Sequence, residues 1–193
     1  MEAFYTLQGE GFHQGKAAYF IRLGGCDVGC HWCDVKESWD AKQHPAISIS
    51  EIVSQAEQYP ARLAVITGGE PCMYDLEELC EALHKAGFQV NIETSGAYPL
   101  KGDIDWICFS PKKFKPALES FYQEAHELKV VVYHLSDLQW AESHATRMHP
   151  KALLYLQPEW SRAESITPAI IDYVKAHPQW RISLQTHKYL QIP

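Results

Sequence analysis

The chain has 193 residues, 24 acidic against 17 basic, and a net charge of −7, which is length enough for one domain, 1–193, with a sizeable core. The acidic balance and the absence of any Lys/Arg run weigh against a nucleic-acid partner, and no apolar stretch reaches the length of a membrane span. Six cysteines without an obvious pairing pattern, and an N-terminus without a basic leader, point to a reducing cytoplasm rather than an extracellular disulfide framework.

The first distinctive run is Thr6-Leu7-Gln8-Gly9-Glu10-Gly11. It reads as a simple turn, or as backbone groups, Gln8 and Glu10 offered to a flat heterocycle with several N–H groups. The first strand expected is Ala17–Leu23. Arg22 sits near its end among apolar neighbours, four residues before Cys26. Such an arginine stands either on a solvated strand face or at a barrel mouth, where it captures a carboxylate in bidentate fashion.

Gly24-Gly25 leads into Cys26-x3-Cys30-x2-Cys33, with Trp32 before the last thiol and Asp34 after it. Thiolates hold soft metals, and a [4Fe–4S] cube needs four ligands. Three thiols leave one iron open to a second molecule. A structural zinc site wants four protein ligands, often as two close pairs. The fourth would have to come from Cys72, Cys80, Cys108 or a histidine; those three cysteines read instead as small buried hydrophobes.

Further strands are expected at 63–66, 89–92, Trp106–Phe109, 128–132, 153–156 and 181–184. They are short and often apolar at successive positions, as in parallel sheets covered on both faces. Between them, Ser48 with Glu51 and Asp75 with Glu78 read as capping boxes. Gly87 reads as a C′ glycine. Thr167-Pro168 reads as an N-cap and first helical residue opening a helix through Lys175, and 135–143 as a weaker helix. Gly- and polar-rich clusters follow the strands: Thr67-Gly68-Gly69-Glu70-Pro71, Glu93-Thr94-Ser95-Gly96, Ser110-Pro111-Lys112, Gln157-Pro158-Glu159-Trp160 and Gln185-Thr186-His187-Lys188. In a parallel α/β barrel these ends share one rim, where such folds bind ligands. The chain is short for a closed eight-fold barrel, so an incomplete, laterally open TIM-like barrel is expected. The apolar, aromatic C-terminal segment is expected to dock, with His187 in a structural or binding role.

The cysteine spacing and the Gly-Gly-Glu run resemble the signature of radical S-adenosylmethionine (SAM) enzymes. With the Thr6–Gly11 run, Ser110-Pro111-Lys112 and Gln185-Thr186-His187-Lys188 ahead of the final Ile192-Pro193, the whole chain is similar to the 7-carboxy-7-deazaguanine synthase family. The resemblance implies a radical SAM lyase of queuosine and 7-deazapurine biosynthesis. Its substrate is 6-carboxy-5,6,7,8-tetrahydropterin. A 5′-deoxyadenosyl radical takes hydrogen from C6, the ring contracts, ammonia leaves, and SAM is re-formed. By position, Cys26, Cys30 and Cys33 hold the [4Fe–4S] cluster. Trp32, Asp34, Gly69, Glu70, Ser110, Pro111, Lys112 and Gln157 contact SAM. Leu7, Gln8, Gly9, Glu10, Arg22, Thr67 and the α-carboxylate of Pro193 contact the pterin. The resemblance also implies an external electron donor and a homodimer.

Two positions depart from the family pattern. Val35 stands where a Thr or Ser commonly contacts Mg²⁺, a hard ion that wants oxygen ligands. Mg²⁺ then binds through substrate, water and backbone oxygens, or Lys36 neutralises the substrate carboxylate in its place. Gln191 stands where related sequences often carry Gly, with little consequence expected. A glycyl-radical-activating enzyme and a non-enzymatic zinc or iron–sulfur module remain the alternatives.

Overall fold

A computed structural model describes residues 2–193. Eight strands form a single sheet in chain order: β1 (Glu2–Leu7), β2 (Ala17–Leu23), β3 (Leu63–Gly68), β4 (Gln89–Thr94), β5 (Trp106–Phe109), β6 (Glu127–Val132), β7 (Leu153–Pro158) and β8 (Trp180–Ile182). Strands β2 to β8 are parallel. β1 pairs antiparallel with β2, with Glu2 opposite Arg22 and Leu7 opposite Ala17. β1 and β8 are the free edges. The fold is thus the expected incomplete barrel, open along one side.

Every expected strand is present, and β1 is an addition. Its aromatic and β-branched centre, Phe4-Tyr5-Thr6, favours strand, but it stops at the Gln8-Gly9 turn that dominates the sequence signal. The last strand also ends two residues before the expected position.

The expectation of apolar cover on both faces needs correction. Gln89-Val90-Asn91-Ile92-Glu93-Thr94 and Glu127-Leu128-Lys129-Val130 alternate with period two. Val90, Ile92, Leu128 and Val130 are fully buried in the main core, with Leu79, Leu83, Phe121 and Ile170 from the helices. The inner face carries only a small apolar patch, Ala18, Leu63 and Val65 with Phe20. Above that patch the barrel interior is lined by charged and amide side chains.

Six helices accompany the strands: α1 (Ile49–Ala56), α2 (Glu77–Lys85), α3 (Ser120–Glu124), α4 (Ser136–Ala145), α5 (Ala163–Ala176) and α6 (Thr186–Leu190). Ser48 caps α1 by accepting from Glu51 N at 3.2 Å. The Glu51 carboxylate accepts from Gln55 Nε2 instead of closing the box. Asp75 accepts from Glu77 N, one residue short of a capping box, so α2 opens at Glu77. It ends as expected: Phe88 N donates to Leu83 O and Gly87 N to His84 O, the double closure of a Schellman turn.

The start of α5 is also corrected. The helix opens at Ala163, and Pro168 lies inside it. Thr167 is no cap; its hydroxyl donates to Ala163 O one turn back. Pro168 is the sixth residue of the helix, and it removes the N–H that would pair with the carbonyl of Glu164, an exposed residue.

Candidate active site

The C-terminal ends of the parallel strands open into one cavity of about 480 Å³. It gathers all but one of the residues assigned from sequence to the cluster, SAM or the pterin. The exception is Pro111, which is buried behind the wall while its neighbours Ser110 and Lys112 line it.

One wall is the loop after β2. Cys26, Cys30 and Cys33 all face the cavity, and none of the six cysteines is in a disulfide. Cys33 N donates to Cys30 O at 3.0 Å, a tight turn that brings the last two thiols together. The loop is stitched to the one after β3: Gly69 N donates to Leu23 O and Glu70 N to Gly25 O. A Cβ at Gly69 would lie 2.2 Å from Gly25 O, so only glycine permits this approach. Burial pushes the Cys30 thiol up to about 11 and raises Cys26; coordination to a cation reverses that preference by deprotonating the thiol outright.

The donor set fits a [4Fe–4S] cube. Among the described residues, no three His, Cys, Asp or Glu side chains converge as ligands of one metal ion. A cube takes one thiolate per iron, so three separate thiols along one wall suit it. Cys72, Cys80 and Cys108 are buried, at 5 %, 0 % and 3 % exposure, and supply no fourth ligand.

Glu70 lines the same wall at 1 % exposure. Its Oε1 accepts from Cys72 N and Thr94 Oγ1, and its Oε2 from Ser95 N and Ser95 Oγ. The carboxylate thus ties the β3 loop to the end of β4. Lys112 Nζ donates to Ser110 O and to Ser110 Oγ at 2.7 Å, and sits 5.9 Å from the Trp32 ring centre. Burial lowers its pKa, against the nearby Cys30, which raises it. Gln157 accepts from Ser183 Oγ at 2.8 Å.

The floor is a buried ionic network. Lys129, on β6, donates to Glu10 Oε2 and, at 2.8 Å, to Glu93 Oε2. Gln8 Nε2 donates to Glu93 Oε1 at 2.8 Å, and Gln8 Oε1 accepts from Glu10 N. Gln185 Nε2 donates to Glu10 Oε1 at 2.9 Å. Arg22 and Thr67 are register partners on adjacent strands, and both face the cavity. Arg22 Nε lies 3.0 Å from Glu2 Oε1, but its N–H is not aimed at that oxygen and has no hydrogen-bond acceptor among the described residues. The guanidinium is 5.5 Å from the Phe4 ring centre.

The C-terminal segment docks as expected. Thr186 N and Oγ1 both donate to Gly9 O, and Thr6 Oγ1 donates to Pro193 O at 3.1 Å. A Cβ at Gly9 would lie 2.1 Å from His187 Nδ1, so this glycine is what lets α6 seat. Lys188 donates to Asp34 Oδ2 at 2.5 Å, closing the segment onto the cysteine loop. Leu7, Gly9 and Pro193 complete this side of the cavity. Lys36 is exposed and does not line it, which removes it as a partner for a bound carboxylate. Glu93 and Lys188 fall on the rim as expected, whereas Lys129 and Ser183 were not anticipated. Their signal was a charged or polar residue at every second position of otherwise buried strands.

An open parallel barrel with three thiols and a Gly-Gly-Glu loop on one rim defines a radical SAM protein, and the Radical SAM superfamily model matches residues 20–134, more than half of the chain. Membership implies a [4Fe–4S] cluster and SAM. The chain is 56 % identical over 193 residues to a 7-carboxy-7-deazaguanine synthase of Flavobacterium psychrophilum, covering 100 % of this chain and 91 % of that protein. It is 49 % identical over 191 residues to one of Synechocystis, covering 99 % and 91 %. The crystal structure of QueE from Escherichia coli superposes with a TM-score of 0.83 at 33 % identity, over 95 % of this chain and 91 % of that one. The chain belongs to the 7-carboxy-7-deazaguanine synthase family; a glycyl-radical activator or a zinc module is not favoured.

Proposed function

We propose that this single-domain chain converts 6-carboxy-5,6,7,8-tetrahydropterin to 7-carboxy-7-deazaguanine and ammonia in queuosine and 7-deazapurine biosynthesis. The observation that supports this most is the composition of the large cavity. It joins three free thiols to a polar floor, a cavity-lining Arg22 and a docked C-terminal segment.

Cys26, Cys30 and Cys33 hold the cluster. Gly69, Ser110, Lys112, Trp32, Asp34 and Gln157 form the SAM side. When bound, the cluster and SAM supply a one-electron cleavage that yields a hydrogen-abstracting radical. Glu70 serves this side as a positioning residue, because its carboxylate is occupied by four protein donors. Leu7, Gly9 and the hydrogen-bonded Gln8 and Glu10 form the side of the cavity that receives the pterin ring. Arg22 meets the substrate carboxylate with its guanidinium, a charge-assisted contact, with Thr67 beside it and Pro193 closing the site. The protein's share of catalysis is to fix the reacting carbon and exclude water while the ring rearranges.

The residues present do not fit a protein-held Mg²⁺. Val35 has no side-chain oxygen, and the nearby Ser38 hydroxyl donates to Val35 O at 2.6 Å. Mg²⁺, if used, is held by substrate, water and backbone oxygens. An external one-electron donor and a homodimeric assembly belong to the same reading. The test is anaerobic turnover of the reduced protein with SAM and the tetrahydropterin, repeated after chelation. Formation of 7-carboxy-7-deazaguanine, retained without Mg²⁺, is expected. SAM cleavage without that product argues against the assignment, and a steep Mg²⁺ requirement argues against the metal-independent floor.

A further inference from the structure

A second, far smaller cavity lies under the floor of the first. Its volume is about 10 Å³, room for about one water molecule. Gln8, Glu10 and Glu93 stand in the walls of both cavities. The lower wall carries His13, Asn91 and Trp106. Five buried side-chain atoms among the described residues have no hydrogen-bond partner, and four of them belong to this wall: His13 Nδ1 and Nε2, Asn91 Oδ1 and Trp106 Nε1. His13 and Asn91 are each 4 % exposed. Buried polar atoms are nearly always paired, by protein or by ordered water, so four orphans around one space call for an occupant.

The strand period explains how they meet. Asn91 precedes Glu93 by two residues on β4, so both side chains face into the barrel, one layer apart. Trp106 is the register partner of Asn91 on β5. His13 arrives from the loop after β1, its ring edge-on to Trp106 at 5.1 Å.

We propose that one ordered water fills this chamber and is the missing partner of His13, Asn91 and Trp106. The donor and acceptor inventory selects water. An indole N–H only donates and an amide oxygen only accepts. Burial, with Lys16 adding to it, holds the His13 pKa down at about 4, so its neutral ring has one donor and one acceptor. A water accepts from Trp106 Nε1, donates to Asn91 Oδ1, and pairs with one His13 nitrogen, so three of the four orphans gain a partner. An ammonium ion, which only donates, leaves the indole N–H unmet. The water ties the loop after β1 to β4 and β5, and so positions Gln8, Glu10 and Glu93. That positioning role rests on the proposed pterin site; the water itself does not.

A high-resolution crystal structure of the anaerobic holoenzyme is the direct test. A density peak within about 3.2 Å of both Trp106 Nε1 and Asn91 Oδ1 is expected. An empty chamber, or a direct hydrogen bond between two of the three side chains, overturns the proposal. Asn91→Leu and His13→Phe each leave orphaned partners and are expected to lower Tm by roughly 2–6 °C and to raise the KM for the tetrahydropterin, with reductive SAM cleavage retained. Unchanged Tm in both variants also overturns the water. Lowered Tm with unchanged KM overturns the positioning role alone. If either variant fails to fold, the density in the native protein still decides.

Discussion

Replacing Lys129 by Met removes the one cation that holds the cavity floor together. The Lys129 side chain is 4 % exposed, and its partners Glu10 and Glu93 are 13 % and 22 % exposed. Two nearly buried carboxylates are then left facing each other. Removing one partner of a buried ion pair costs about 3–5 kcal/mol. The direction of the Glu10 pKa shift agrees. Burial alone raises its pKa, but the Lys129 charge and hydrogen bond, with help from Gln185 and His187, hold it at about 2 instead of 4.5. That depression corresponds to about 3 kcal/mol. It is present above pH 4.5 and lost as pH falls toward about 2. Without Lys129 the burial effect prevails, the Glu10 pKa rises above its unfolded value, and the sign reverses. The variant is then penalised most at neutral pH and recovers as pH falls toward the carboxylate range. Anaerobic thermal unfolding at pH 7 is expected to show a Tm lowered by roughly 6–20 °C, with a smaller gap at pH 5. A Tm within about 2 °C of the native protein, or a gap independent of pH, refutes the reasoning.

Gly9→Ala places a methyl group 2.1 Å from His187 Nδ1 and 2.9 Å from its backbone nitrogen, so α6 must shift. The KM for the tetrahydropterin should rise by about tenfold or more, equivalent to about 1.4 kcal/mol, while iron content holds; an unchanged KM contradicts the contact. Gln191 has a φ of 56° at the C-cap of α6, the sole positive φ outside glycine among the described residues. Gln191→Gly should relieve about 1 kcal/mol and raise Tm by roughly 2–4 °C; a lowered Tm shows the side chain matters more than the strain. Arg22→Ala should reduce kcat/KM by about 10- to 100-fold, the loss of one charge-assisted hydrogen bond, and spare SAM cleavage. Loss of iron instead would make Arg22 architectural.

The thiol spacing, the Gly-Gly-Glu loop and the rhythm of strands were legible because each is local. Seven strands and the open barrel follow from short β-branched runs, and the shared rim follows from their parallel order. What sequence concealed depends on partners far along the chain. β1 is an edge strand whose signal stops at the turn that follows it. Pro168 looks like a helix start only until Ala163 opens the helix a turn earlier. Glu70 reads as a free acceptor until Thr94 and Ser95, from the next strand, occupy it. Lys129 reads as a lone polar break in an apolar run, although the alternation Glu127-Leu128-Lys129-Val130 already put both charges on the inner face. Gln191 was expected to matter little; its left-handed backbone shows only in the turn that returns Ile192 N to His187 O.

The proposed function needs an open iron at the three-thiol wall and a polar floor that takes the pterin. Single-turnover analysis of the anaerobic, reduced protein with SAM and 6-carboxy-5,6,7,8-tetrahydropterin deuterated at C6 tests both at once. 7-Carboxy-7-deazaguanine should accumulate together with ammonia, and deuterium should be found in recovered SAM. A colourless protein with zinc, or SAM cleaved to 5′-deoxyadenosine with the pterin untouched, contradicts it.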